Sequence, residues 1–186
     1  MLISLVAHGA ELQTEGERLK PIAGHPVFDI RLGADAVGNG ESQVQPYFCG
    51  EVAPLPVVSI EACGNGSGVL HRMDGPDIAH FRLRARVLER RQGMMDASLM
   101  VAAGFIEVQR GLDEPGFRFG AAEEGQVEAS GPEVSAGLKG RYWLGSKTYL
   151  TGDFTVGSGY VVGAPLVMGW ASPVVPFASL TVGMGL

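Results

Sequence analysis

Residues 154 to 186 contain no Lys, Arg, Asp, Glu or His. A charge-free stretch of that length invites a transmembrane helix, which needs about 20 consecutive apolar residues. Here the stretch is broken by Gly157, Gly159, Gly163, Gly169, Gly183 and Gly185, and by Pro165, Pro173 and Pro176. Proline removes a backbone donor and clashes with the preceding helical turn, so no spanning helix survives these breaks. Strands in a membrane avoid the difficulty. A closed barrel satisfies its backbone between neighbours, and each crossing needs only about 9–11 residues. Composition points the same way. Charged residues make up 18% of the chain, against roughly 25% in an ordinary soluble domain. The 28 glycines disfavour a helical bundle, because each interior helical glycine costs about 1 kcal/mol relative to alanine. A net charge of −6 argues against nucleic acid as a partner, since such proteins favour basic surfaces.

Period-two alternation marks strands. It is cleanest from Asp77 to Leu88, where Ala79, Phe81, Leu83, Ala85 and Val87 point one way and His80, Arg82, Arg84 and Arg86 the other. Seven further segments fit: Val27 to Ala36, Gln45 to Ala53, Val57 to Cys63, Ala97 to Gln109, Val134 to Leu144, Tyr149 to Tyr160 and Pro176 to Leu186. Ala97 to Gln109 is apolar on both faces, so its phase stays open. The connections alternate in length. Pro54 to Pro56, Arg91 to Asp96 and Gly145 to Lys147 are short, while Gly38 to Val44, Gly64 to Pro76, Gly111 to Glu133 and Val161 to Val175 are longer. In an up-and-down meander this segregates short turns to one end and long loops to the other, the asymmetry of outer-membrane barrels. The expected fold is all-β, an eight-stranded antiparallel up-and-down transmembrane β-barrel over residues 26–186. Residues 1–25 are expected to form a periplasmic segment. Within it, Leu2 to Leu12 is a candidate ninth strand. The apolar run Leu2 to Ala7 is too short for a signal-peptide core, and no basic residue precedes it. The start is therefore expected to be truncated or that of a mature fragment, with a cytoplasmic protein as the open alternative.

If lipid surrounds the barrel, the apolar faces point outward and the polar faces line the interior. The interior then holds Arg31, His80, Arg82, Arg84, Arg86, Lys139 and Arg141 against Asp29, Asp35, Glu51, Glu61 and Asp153. Buried charges need partners, so a luminal ion-pair network is expected. An eight-stranded interior is wide enough only to be filled by side chains, so no open pore is expected. In a soluble barrel the same strands would turn inside out, around a small apolar ligand. Alternation alone does not distinguish the two; the loop asymmetry and the charge-free end favour lipid. Tyr142, Trp143 and Tyr149 near a short turn, and Tyr160 and Trp170 near a long loop, fit aromatic girdles at both rims.

The last segment, PFASLTVGMGL, places Ala178, Leu180, Val182, Met184 and Leu186 at alternating positions back from the end. It resembles the terminal targeting strand of bacterial outer-membrane β-barrels, which usually ends in Phe or Trp; Leu186 departs from that. The resemblance implies an outer-membrane location and surroundings of outer-membrane lipid and lipopolysaccharide. It also implies recognition of residues 176–186 by the barrel-insertion machinery. As a motif it covers only this strand.

Cys49 and Cys63 are the only cysteines. A hairpin turning at residue 56 sets them directly opposite each other. Opposed residues in a non-hydrogen-bonded pair approach to about 4.5 Å, within disulfide range. A luminal cross-strand disulfide is expected, and with it an oxidising compartment; two buried free thiols remain the alternative. The same register opposes Glu51 to Glu61, which repel unless an arginine bridges them.

No catalytic set and no cofactor or metal motif stands out. His8, His25, His71 and His80 are scattered. Ser59, His80 and Glu61 supply the residue types of a hydrolase, but such types meet cheaply in a polar lumen. A lipid-modifying barrel enzyme is the remaining alternative. Gly64 to Gly68 has the glycine of a phosphate-cradling loop without its lysine or its helix. The loop 111–133 carries Asp113, Glu114, Arg118, Glu123, Glu124, Glu128 and Glu133, a candidate site for an extracellular ligand. Phe117 and Phe119 flank Arg118 and suggest a strand continuing above the membrane.

Overall fold

The computed structural model describes residues 26–38, 43–65, 76–110 and 116–186. The candidate strand Leu2 to Leu12, with His8, His25, His71, Asp113 and Glu114, lies outside the described residues. Eight strands close into an antiparallel barrel in sequence order. They are β1 (Phe28–Val37), β2 (Gln43–Leu55), β3 (Val58–Gly64), β4 (Pro76–Gln92), β5 (Met95–Arg110), β6 (Glu128–Trp143), β7 (Tyr149–Tyr160) and β8 (Val174–Gly185), with one short helix, α1 (Ala164–Met168), between β7 and β8. β1 pairs with β8 to close the ring, with Arg31 opposite Gly183 and Asp35 opposite Ser179. Among the described residues, no helix is long and apolar enough to cross a membrane.

The pleat places successive side chains on opposite faces, and here the apolar faces are outside. Leu83 is 58% exposed, Leu138 61% and Val182 64%, while Arg31 and Arg84 are 1% exposed. The inside-out distribution is the reverse of a soluble barrel with an apolar core. The outward residues of β6 from Pro132 to Tyr142 cover about 33 Å of strand at ~3.3 Å per residue. At a tilt of roughly 40° that is about 25 Å of height, the apolar band of a membrane barrel.

The short connections lie at one end with the ring's own ends. Val27 N donates to Leu186 O (2.9 Å) and Ala53 N to Val27 O (2.9 Å), beside the β2–β3 turn. The barrel is tightly coiled. A Cβ on Gly104 would stand 1.9 Å from the Phe81 carbonyl oxygen of the adjoining strand, so this crossing of β4 and β5 requires a residue without a side chain.

Two elements begin earlier than the alternation predicts. β6 starts at Glu128 rather than Val134, running through Gly131 and Pro132. Those residues read as a loop, but a proline in a strand forfeits only its own ladder hydrogen bond, and Pro132 faces outward opposite Phe105. β4 and β5 extend past Leu88 and before Ala97 as a longer hairpin, with a register shift between Arg86 and Leu88. β5 resolves its phase with Met100, Ile106 and Val108 buried and Val101 exposed.

Candidate functional site

The interior is built in three layers. At the short-turn end, Trp143 Nε1 donates to Asp96 Oδ2 (2.7 Å). Arg141 pairs with the other oxygen of Asp96 (3.2 Å), and its guanidinium lies 5.6 Å from the Tyr149 ring centroid.

The middle layer is ionic. Arg31 touches four carboxylates: Asp29 (2.8 Å), Glu51 (2.8 Å), Asp153 (2.9 Å) and Glu61. Arg84 reaches three of them, Glu51 (3.0 Å), Glu61 (2.6 Å) and Asp153 (2.8 Å). Lys139 joins Asp29 (2.5 Å) to Glu51 (2.9 Å). Arg82 links Glu61 (3.0 Å) to Glu133 (2.7 Å), and Glu133 meets His80 Nδ1 at 2.6 Å. Thr155 donates its hydroxyl to Asp153 (2.7 Å). Glu51 lies directly opposite Glu61 in the β2–β3 register. Their repulsion is relieved because Arg31 and Arg84 each bridge both. The planar guanidinium suits this role, since its fork of five donors can serve several carboxylates at once.

Of the residues read from the sequence, Asp29, Arg31, Glu51, Glu61, His80, Arg82, Arg84, Lys139 and Asp153 thus meet in one connected network. Arg141 belongs to the layer below, with Asp96. Arg86 keeps the luminal parity, opposite inward Met100, but lies at the short-turn rim, bonded to Glu89 and to the Pro56 carbonyl rather than to the network. Asp35 lies beside His80, 3.7 Å from Nε2. Glu133 and Asp96 were not legible as luminal, the first because its strand read as loop. Ser59 and His80 do not form a hydrolase pair. Ser59 registers with Arg84, four residues along β4 from His80.

The third layer, toward the long-loop end, is apolar. Tyr47 and the Cys49–Cys63 disulfide, with a Cα separation of 4.1 Å, form one side. Phe177 packs on His80 (4.5 Å between ring centroids) and under the Arg82 guanidinium (4.8 Å). Above it Val37, Ile78, Ile106, Val108 and Val161 pack with Ala164 and Val167 of α1, and partly buried Trp170 packs against this cluster. α1 thus turns the loop into a stopper. Reducing the disulfide, which links residues 14 apart, is expected to lower the unfolding free energy by about 2–3 kcal/mol. Urea titrations with and without a reductant that reaches the lumen would measure it, with thiol labelling absent in the oxidised protein.

No protein-family model matches the chain, and no curated protein matches it in sequence. Solved structures match in shape. The chain resembles Neisserial surface protein A with a TM-score of 0.58 at 8% identity, over 86% of this chain and 94% of that one. More distant are the attachment invasion locus protein Ail of Yersinia pestis (TM-score 0.47, 9% identity, 87% and 98% covered) and the N-terminal β-barrel domain of Pseudomonas aeruginosa OprF (TM-score 0.44, 11% identity, 85% and 97% covered). The first likeness establishes a shared fold, that of small eight-stranded outer-membrane barrels.

Proposed function

We propose that this chain is a bacterial outer-membrane barrel without an open pore, with a structural or surface-interaction role carried by its long-loop end. The observation that carries this reading is the inversion of polarity. Ile30, Leu83, Leu138 and Val182 face outward and exposed, while arginines and carboxylates fill the centre. Water would not tolerate such an outer surface on a monomer, because contiguous exposed apolar patches of this extent mark membrane or partner contact. Acyl chains would. The short-turn end then faces the periplasm and the long loops face outward, in the orientation usual for such barrels.

Two barriers in series support a closed lumen. Ions entering from the long-loop end would meet the packed Ile106, Val161 and Val167, and then a layer whose charges are already paired. An oxidising compartment fits the disulfide. The outward row Ala178, Leu180, Val182, Met184 and Leu186 supports recognition of residues 176–186 by the insertion machinery, with outer-membrane lipid and lipopolysaccharide as the surroundings. Within the loop 111–133, the described residues 120–127 belong to the end available to extracellular ligands.

Reconstitution tests the reading. The protein is expected to insert into lipid vesicles, to migrate in gels differently before and after boiling, and to give no stepwise conductance in planar bilayers. A monodisperse protein without detergent would overturn the membrane assignment. A regular single-channel conductance would overturn the closed lumen.

A further inference from the structure

The outer surface of the barrel holds one anomaly. On β5 and β6, Glu107 and Glu128 lie on the lipid-facing parity, yet both are buried. What covers them is the segment 116–119. Phe117 N donates to Glu107 Oε1 (3.0 Å). Arg118 pairs with Glu128 (2.9 Å), and Arg118 O accepts from Ser130 N (2.7 Å). Phe119 forms a bridge with Ser130. The rings of Phe117 and Phe119 each lie 5.6 Å from outward Phe105, and Phe117 lies 5.2 Å from outward Phe81. Beyond Gly120 (φ 111) the chain turns to the mouth, where Ala122 packs against the apolar stopper.

Phe117 adopts φ 47, a left-handed conformation that bulky residues avoid. The strain is held by contacts at both neighbours. The outcome is a strap that replaces two outward carboxylates by two phenyl rings, with Phe119 61% exposed. Its height is fixed by register. Phe105 is opposite Pro132 and Glu107 opposite Ser130, so the strap crosses the upper edge of the apolar band.

We infer that residues 116–119 are a lipid-docking strap, seating Phe117 and Phe119 at the boundary between acyl chains and headgroups of the outer leaflet and shielding Glu107 and Glu128 from it. The inference rests on the transmembrane reading above and narrows it, because it assigns this part of the 111–133 loop to lipid rather than to an extracellular ligand. The occupant is argued from continuity. The rings extend the same aromatic face as Phe81 and Phe105, and without the strap two carboxylates would stand against the membrane at the level where the apolar band ends.

Because the two native cysteines are bonded to each other, an introduced cysteine is the sole reactive thiol. Phe119→Cys, Leu138→Cys and Glu123→Cys would each carry a nitroxide in vesicles, with collision rates measured against oxygen and a water-soluble nickel chelate. Oxygen is expected to dominate at 119 and at 138, and the chelate at 123. A chelate-dominated signal at 119 with an oxygen-dominated one at 138 overturns the strap and leaves the barrel reading standing. Chelate dominance at both overturns both. Phe119→Trp offers a second route: its added emission should be quenched by lipids brominated near the headgroup end of the chain, and unquenched emission overturns the strap.

Discussion

Replacing Arg31 with methionine is expected to cost about 3–5 kcal/mol of unfolding free energy, the usual effect of breaking a buried ion pair by removing one partner. Methionine matches the volume and flexibility of the arginine stem, so the loss is not one of packing. It lies in Asp29, Glu51, Glu61 and Asp153, which share this guanidinium and would retain only Lys139, Arg84 and Arg82 among the cations they touch. Arg31→Lys should cost less than the methionine variant, since it keeps the charge but gives up the fork that serves several oxygens. Adding Glu61→Gln to Arg31→Met should cost less than the two changes summed, because one orphaned charge leaves with its partner. Urea titrations in lipid vesicles, followed by tryptophan emission from Trp143 beside the lower layer, would measure all four variants. Equal losses for the lysine and methionine variants would show that the charge on Arg31 is not what matters.

The second large effect belongs to the opposite face. Leu138 lies opposite Phe154 on β7, and Phe154 opposite Leu180 on β8, all three exposed in the middle of the outer surface. Leu138→Arg is expected to cost about 2–4 kcal/mol, as for a cationic side chain at the bilayer midplane of a barrel. Leu144→Arg, just beyond the short-turn end of β6, should cost less than about 1 kcal/mol, because the penalty falls away toward the interface. The same vesicle titration reads both. In a barrel surrounded by water the two changes would be equally harmless, so the difference between them measures the lipid itself.

Much of this architecture is written plainly in the chain, for a physical reason. Where one face is polar and the other apolar, as with Arg82 and Arg84 against Phe81 and Leu83, period two is unambiguous and fixes both strand and facing. The Cys49–Cys63 pairing followed from symmetry about a short turn. The signal fails where the inner face is also apolar. In β5, Met100, Ile106 and Val108 point inward and Val101 and Phe105 outward, so alternation offers no contrast. The apolar stopper that explains those inward residues includes α1, a helix too short to show a period. Glu133 was hidden because Gly131 and Pro132 read as punctuation, and alternation could not show that Arg86, though on the luminal parity, finds its partners at the short-turn rim in Glu89 and the Pro56 carbonyl. The strap over Glu107 and Glu128 was least legible of all. Its residues read as an acidic loop, and only the register shows that those carboxylates lie on the lipid-facing side.

The ionic layer draws on six strands, and its members are distant along the chain: Arg84 and Asp153 are 69 residues apart, Lys139 and Asp29 110. The pairs that tie β1 to β6 and β7, Lys139 with Asp29 and Arg31 with Asp153, cannot form while the β1–β8 seam is unzipped, since β1 then sits at the far edge from them. Joining that seam and completing the ionic layer are therefore one event. A chain stalled short of it gains hairpins but leaves Asp29 and Arg31 without their partners on β6 and β7, and must keep those groups wet. Half-assembled forms are thereby held at the water's edge, and the finished ring alone is dry enough at heart to be left in oil.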